Sequence, residues 1–208
     1  MSSINIEKSA EKGINDLLRH LLGNGKVDAV LAMRMVKSSG AWDLALVTDL
    51  DSLAELKPLA PVMTVNAAQV LSNISLSGKK IAAVLKPCEL RGFVERVKRE
   101  QGSLENLITV SHTCGGVFPL DLVIKGSVED LLHKYDKVVS RGEVPSNIRD
   151  TCKACQHFIP MNADITVAAA GECSPGHGCM IYLNSEKAKE ALSECTGHHG
   201  DVALDPAT

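Results

Sequence analysis

Four cysteines occupy positions from which their thiolates could bind one metal centre. Cys88 and Cys114 each follow a predicted strand, and Cys152 and Cys155 form a Cys-x-x-Cys pair. A two-residue gap lets neighbouring thiolates bind the same centre from one tight turn. A thioredoxin-type redox pair is disfavoured, because a polar stretch precedes the pair and Pro160 follows it, instead of a strand and a helix.

The metal is not fixed by this pattern. A [4Fe–4S] cluster and a structural zinc ion both take four thiolates, so both remain open. Taken singly, Cys88 and Cys114 also suit the packed core, where free cysteine is a common small apolar residue. Their position beside Pro87 and beside Gly115-Gly116, where the backbone turns, favours ligation.

Three further cysteines lie nearer the carboxyl terminus: Cys173, Cys179 and Cys195. The glycine-rich segment 171–179 could clip a second metal with help from His177 or from the pair His198-His199. The same segment is also typical of a turn between two strands that happens to contain thiols, and we favour that interpretation.

Two apolar runs position the first two ligands. Residues 81–85 (Ile-Ala-Ala-Val-Leu) and 107–110 (Leu-Ile-Thr-Val) are short and almost wholly apolar, as expected of buried parallel strands. The first run ends three residues before Cys88, and the second ends four residues before Cys114. Ligands of open α/β sheets bind at the carboxyl ends of the strands. The sequence therefore predicts an α/β fold, with a central mostly parallel sheet flanked by helices and a small cysteine-rich C-terminal α+β part.

The other predicted elements follow from hydrophobic periodicity and from turn residues. We expect helices over 4–22, 49–56, 66–74, 128–135 and 185–192, and strands over 27–33, 44–47, 164–170 and 180–183. The predicted domains are an α/β domain over 1–135 and, over 136–208, a linker plus a cysteine-rich part that completes the metal site.

Composition excludes several classes of protein. The 208 residues carry a net charge of −3, which gives no basic footprint for nucleic acid. No apolar stretch approaches the roughly 20 residues of a membrane span. The first residues lack the short apolar core of a secretory signal. We therefore expect a cytoplasmic location, where clustered cysteines more often bind metal than form disulfides.

In order and spacing, four short motifs resemble one family. They are Pro87-Cys88-Glu89, Thr113-Cys114-Gly115, Cys152-Lys153-Ala154-Cys155 and Ala163-Asp164-Ile165. The order and spacing of these motifs resemble those of the beta subunit of coenzyme F420-reducing hydrogenases and dehydrogenases. The same family also occurs in formate dehydrogenases. The similarity extends over roughly residues 25–195.

This resemblance implies an iron–sulfur flavoprotein that serves as an electron-transfer subunit of an oxidoreductase. It implies one [4Fe–4S] cluster beside a flavin, usually FAD, which exchanges a hydride with a deazaflavin or nicotinamide coenzyme. It also implies partners: subunits of a hydrogenase, a formate dehydrogenase or a heterodisulfide reductase-like enzyme. No G-x-G-x-x-G motif marks a dinucleotide site. The alternatives are a flavin-free cluster relay and a structural zinc domain without a redox role.

Candidate flavin contacts lie in the loops at the carboxyl edge of the sheet and at one helix start. Amide groups at a helix N-terminus can bind a pyrophosphate. The candidates are Lys86, Glu89, Ser111, His112, Thr64, Asn66, Ala67 and Arg34.

Overall fold

A computed structural model describes residues 2–6, 9–125, 128–169 and 179–193. Its strands are Ser2–Ile6 (β1), Ala29–Met35 (β2), Trp42–Val47 (β3), Ile81–Leu85 (β4), Leu107–His112 (β5), Ile165–Val167 (β6) and Cys179–Leu183 (β7). Its α-helices are Ala10–Gly23 (α1), Ala67–Ile74 (α2), Pro87–Lys98 (α3), Leu120–Lys125 (α4), Val128–Val139 (α5), Asp150–Lys153 (α6) and Glu186–Ala191 (α7). A 3-10 turn covers Ser52–Glu55.

The seven strands form one sheet in the order β1-β7-β6-β5-β4-β2-β3. The central pairs β2–β4, β4–β5 and β5–β6 are parallel, whereas β3 and β7 run antiparallel to their neighbours. The predicted α/β class with a mostly parallel sheet is thus confirmed. Among the residues that the structure describes, no helix combines the length and the apolarity needed to cross a bilayer.

Helices cover the sheet with apolar faces. Ser9 caps α1 by accepting from the N–H of Lys12, and Ile14, Leu17 and Leu21 are buried on one side of the helix. The helix ends before Gly25, whose positive φ favours glycine. This apolar stripe joins one core cluster, and helices α2 and α3 form a second cluster with β4.

The amino-terminal element differs from the expected helix over 4–22. Residues Ser2–Ile6 form β1, which pairs antiparallel with β7, and the helix begins at Ala10. Ile4 and Ile6 are buried in the core, so their apolar character fits a strand that alternates inward and outward. The partner strand lies more than 170 residues away in the chain, and a local periodicity cannot reveal such a pairing.

The carboxyl-terminal strands extend the main sheet instead of forming a separate small pair. Strand β6 pairs in parallel with β5, and β7 joins β6 to β1. Helix α5 continues to Val139, four residues past its predicted end, because Val139 is buried against Tyr135 and Phe118 in a third core cluster. The predicted division at residue 135 therefore has strands of one sheet on both sides.

A buried polar contact joins β5 to the residue before β6. Asp164 Oδ2 accepts from the backbone N–H and the hydroxyl of Thr109, both at 2.8 Å, and the same hydroxyl accepts from Asp164 N–H at 2.9 Å. Both residues are buried. Because unpaired buried polar groups are costly, this contact fixes where β6 begins along β5.

We expect Thr109→Val to lower the free energy of unfolding by about 2 kcal/mol, since it leaves a buried N–H and a carboxylate oxygen short of a partner. Urea denaturation followed by circular dichroism measures the loss. The control is Thr166→Val, which removes a hydroxyl that accepts from Asn184 at an exposed position, and we expect it to cost at most about 0.5 kcal/mol. Equal losses in the two variants would contradict this account.

Candidate functional site

Two of the predicted ligands lie at the carboxyl ends of neighbouring parallel strands. The register of β4 and β5 pairs Leu85 with Ser111, so both strands finish at the same edge of the sheet. Cys88 stands in the first turn of α3, three residues after β4, and is exposed. Cys114 stands two residues after β5 and is partly buried. The sheet-edge placement predicted for these two cysteines agrees with the structure.

The Cys-x-x-Cys pair lies on and just after the short helix α6. Cys152 is partly buried within the helix, and Cys155 is exposed in the turn that follows it. The backbone N–H of Cys155 donates to Cys152 O at 3.1 Å, and the N–H of His157 donates to the Cys155 thiol at 3.4 Å. The N–H of Cys114 donates to Phe158 O at 2.9 Å, which ties the loop after β5 to the segment after the pair.

Three of the four thiols act on one another electrostatically. Partial desolvation raises the pKa of the Cys88 thiol, although the residue as a whole is exposed, and the charges of Glu89 and Cys152 raise it further. Burial raises the pKa of the Cys114 thiol to about 11, with contributions of the same sign from Cys88 and Cys152. In the backbone, Cys88 and Cys114 follow neighbouring strands at one sheet edge, and the loop after Cys114 lies against Cys152. Cys155 follows Cys152 by three residues.

Two glycines permit this approach. A Cβ on Gly116 would lie 2.6 Å from Ile148 Cδ1 and 3.1 Å from Cys152 Cβ, and the residue has a φ of +96°. A Cβ on Gly115 would lie 2.7 Å from the Tyr135 hydroxyl oxygen. Both the backbone conformation and the lack of space thus require glycine after Cys114. These constraints explain the glycine pair that follows Cys114.

Sequence reasoning missed two residues that hold these segments in place. The Arg149 guanidinium donates to Phe118 O at 3.2 Å and to Met63 O at 3.0 Å, directly before α6. The buried Tyr135 hydroxyl donates to Gly116 O at 3.1 Å. The position of Arg149 just before Asp150-Thr151-Cys152 is a weak sequence signal for the anchoring role of Arg149. No sequence signal indicates the role of Tyr135.

The described residues contain no group of three or more His, Cys, Asp or Glu side chains gathered closely enough to hold a single metal ion. A four-iron cluster is larger than one ion, and its thiolate ligands stand farther apart. Of the other cysteines, Cys179 is buried in β7, where its sulfur lies against Gly13 of α1. Cys173, Cys195, His177, His198 and His199 lie outside the described residues.

Several candidate flavin contacts are already bonded within the protein. The buried Glu89 carboxylate accepts from Ala67 N–H at 3.0 Å and from Lys86 N–H at 2.9 Å. The Asn66 side chain accepts from Ala68 N–H at 2.9 Å and so caps α2. A pyrophosphate at this helix start would have to displace Glu89 or Asn66 from these amides.

Two other candidates are likewise engaged. The Arg34 guanidinium donates to both carboxylate oxygens of Asp43, at 3.0 and 2.6 Å, and lies 4.0 Å from Glu55. Arg34 and Asp43 are direct cross-strand neighbours in β2 and β3. The buried Ser111 hydroxyl donates to Leu85 O at 2.7 Å. Arg34 therefore has its charge balanced by the protein, and Ser111 joins the two central strands.

The remaining candidates have polar groups without partners among the described residues. Thr64 Oγ1 and His112 Nε2 are buried and have no hydrogen bond. His112 Nδ1 lies 2.8 Å from Thr113 O, and the residue also lines a cavity of about 190 Å³. Burial lowers the pKa of His112 to about 4, and the charge of Lys86 acts in the same direction. Lys86 itself is buried.

Comparison with known proteins confirms the resemblance predicted from the motifs. Residues 125–206 match the family model for the C terminus of the coenzyme F420 hydrogenase/dehydrogenase beta subunit. The F420-dependent formate dehydrogenase 1 subunit beta of Methanococcus maripaludis is 28% identical over 212 residues, covering 87% of this chain and 53% of the relative. The F420-dependent formate dehydrogenase subunit beta of Methanocaldococcus jannaschii is 27% identical over 216 residues, covering 91% and 56%. The chain spans about half the length of these relatives.

A solved structure shares the fold. A chain of the F420-reducing [NiFe] hydrogenase complex from Methanosarcina barkeri superposes with a TM-score of 0.63 and 12% identity, over 94% of this chain and 78% of that chain. This agreement supports the α/β architecture.

We expect Gly116→Ala to lower the free energy of unfolding by about 3 kcal/mol, because the new Cβ meets Ile148 and Cys152 in addition to the strained φ. The matched control is Gly142→Ala, whose φ of +74° is also strained but whose Cβ would meet nothing within 4 Å. That variant should lose about 1 kcal/mol. Chemical denaturation measures both, and similar losses would show that the close approach to Cys152 is not a constraint.

We expect His112 to make the fold less stable in mild acid. Its pKa is about 4 in the folded chain and about 6.5 when unfolded, so between these values the unfolded state binds the extra proton. The contribution of the neutral His112 imidazole to the free energy of unfolding is complete above about pH 6.5 and is lost as the pH falls toward 4. Between about pH 7.5 and 5.5 the wild type should lose about 1 kcal/mol more than His112→Gln in urea denaturation. A difference of zero would contradict the buried neutral imidazole.

Proposed function

Since this chain is a relative of the beta subunits of coenzyme F420 hydrogenases and dehydrogenases, we propose that it is the iron–sulfur electron-transfer subunit of an oxidoreductase complex. In this proposal Cys88, Cys114, Cys152 and Cys155 hold one [4Fe–4S] cluster. The observation that carries it is the approach of three separate segments: Cys88 and Cys114 follow β4 and β5 at one edge of the sheet, and a Cβ on Gly116 would lie 3.1 Å from Cys152 Cβ. When bound, such a cluster supplies one-electron transfer.

The surroundings of the cysteines suit a thiolate-bound centre. The donor set is four thiols, two of them in a Cys-x-x-Cys pair, as iron–sulfur centres use. Gly116 leaves room for the Cys114 loop to approach Cys152. The thiolate is the form that binds metal, and burial holds the Cys114 pKa at about 11 without one. Loading of the site therefore releases protons from these thiols.

Exposure differs among the four ligands in a way that suits electron exchange. Cys114 and Cys152 are partly buried, whereas Cys88 and Cys155 are exposed. The inner pair restricts water around part of the site, and the outer pair reaches the surface, where a partner protein can approach. A relay needs both properties, because it must hold its centre firmly and still exchange electrons with another protein.

FAD is also part of the proposal, and fewer observations support it than support the cluster. When bound, it would accept a hydride and release electrons singly. Thr64 Oγ1 and His112 Nε2 are the two candidate contacts with unpartnered buried atoms, and the cavity beside His112 adjoins one of them. The internal bonds of Glu89, Asn66 and Arg34 favour the second candidate function, a flavin-free cluster relay.

Substrate and partners follow from the names of the relatives. These relatives are beta subunits of F420-dependent formate dehydrogenases, so we propose a deazaflavin as the hydride-carrying coenzyme and a dehydrogenase or hydrogenase subunit as partner. A nicotinamide donor and a heterodisulfide reductase-like partner stay predictions. A cytoplasmic location is part of the same proposal.

The proposal is tested by a metal and flavin inventory of the full chain purified without oxygen. Iron, acid-labile sulfide, zinc and flavin are measured together with the visible absorption spectrum. About four irons and four sulfides per chain would support the cluster, and a flavin band would support FAD. Zinc without sulfide would instead establish the structural zinc alternative.

We expect Cys114→Ser to lose most of its iron and sulfide, because a serine oxygen is a harder ligand with a much higher pKa and suits iron–sulfur ligation poorly. The control is Cys179→Ser, which changes a buried thiol in β7 against α1. That variant should keep its iron, whatever it loses in stability. Iron lost equally from both variants, or from Cys179→Ser alone, would show that the ligands are wrongly assigned.

A further inference from the structure

Glu89 is a buried residue whose two carboxylate oxygens bind the starts of two different helices. It is 4% exposed, although glutamate is almost never fully buried unless its charge is paired. One oxygen accepts from Ala67 N–H at 3.0 Å, at the first residue of α2. The other accepts from Lys86 N–H at 2.9 Å, directly before α3. Within the described ranges no ion pair includes this carboxylate, so the two amides are its partners.

Amides at helix starts are suitable partners for a buried carboxylate. The first N–H groups of a helix have no acceptor within the helix, and the helix dipole places partial positive charge there. Hydrogen bonds to a charged acceptor are also stronger than those between neutral groups. Glu89 therefore takes at α2 the position that a bound anion takes at other helix starts. Because its second oxygen binds the start of α3, the same carboxylate joins the two helices.

The same two hydrogen bonds hold the turn that carries Cys88. This cysteine lies between Lys86 and Glu89, and the bond from Lys86 N–H to the Glu89 carboxylate closes the turn around it. Pro87 restricts the backbone inside the turn. The bond to Ala67 N–H fixes the turn relative to α2. Since Cys88 is exposed, its place depends on this turn more than on packing of its own side chain.

We propose that Glu89 is the positioning residue of Cys88: its carboxylate binds the starts of α2 and α3 and so holds the Cys88 thiol where it ligates the metal centre. This inference rests on the proposed function. Without the carboxylate, two buried N–H groups lose their acceptor and the turn that carries Cys88 is no longer closed. The hydrogen bonds of Glu89 do not extend to the segments that carry the other three cysteines, so its loss loosens one ligand of four.

The test compares iron release from the full chain, purified without oxygen, in wild type and in Glu89→Ala, Glu95→Ala and Thr109→Val. A ferrous chelator is added in excess and release is followed by absorbance. The electron paramagnetic resonance spectrum of the dithionite-reduced protein is recorded as well. Glu95 is the matched control, because it lies on the same helix and pairs with Lys98 at 2.6 Å near the surface. Thr109→Val removes a buried hydrogen-bond partner outside α3 and controls for a general loss of stability.

A chemical rescue uses the shape of the missing group. Glu89→Ala removes one methylene carbon and the carboxylate, and acetate supplies a methyl group and a carboxylate. Iron release is therefore measured in sodium acetate and in sodium chloride at equal ionic strength. Glu89→Gln, which keeps one accepting oxygen, takes the place of Glu89→Ala if the alanine variant does not fold.

We expect Glu89→Ala to release iron about tenfold faster than wild type, the change in rate that loss of a hydrogen bond to a charged group gives. We also expect an altered resonance line shape, slower release in acetate than in chloride, and wild-type behaviour of Glu95→Ala. Wild-type release from a fully loaded Glu89→Ala variant would overturn the inference. So would equal release from Glu89→Ala and Thr109→Val with an unchanged spectrum, because the effect would then be one of stability alone. Wild-type protein without iron and sulfide would instead contradict the proposed function itself.

Discussion

The parallel pairing of β4 with β5 is the constraint on which the candidate site depends. Both strands are completely buried, and their register ends them at one edge. Whatever follows each strand is then held close by the backbone, without any help from the side chains themselves. Cys88 and Cys114 owe their proximity to this pairing. The Ser111 hydroxyl, which donates to Leu85 O, fixes the last step of the register.

Polar groups at this edge fall into two sets that carry different information. Glu89, Ser111 and Arg34 have their hydrogen bonds or charges satisfied by the protein, so each is explained by the fold. His112 is buried, and its Nε2 lacks such a partner among the described residues. Because burial without a partner costs free energy, this residue distinguishes a site from an ordinary strand end.

The sequence was informative where structure depends on local pattern. The apolar runs of β4 and β5 and the turn at the Cys-x-x-Cys pair could be predicted, because burial and turn chemistry show in consecutive residues. The strand β1 could not, since its partner β7 is remote in the chain. The internal bonds of Arg34 needed the β2–β3 register, which sets Asp43 directly opposite and which residue types alone do not reveal.

The site also joins segments that are far apart in the sequence. Cys88 and Cys114 come with the central sheet, whereas Cys152 and Cys155 arrive on a segment held by Arg149 and by the Cys114–Phe158 backbone bond. These anchors are few, and the helix that carries Cys152 has four residues, too short to be stable alone. A cluster bound by both halves would add its binding free energy to the docking of this segment. On the proposed function, cluster loading and completion of the fold are therefore one thermodynamic event.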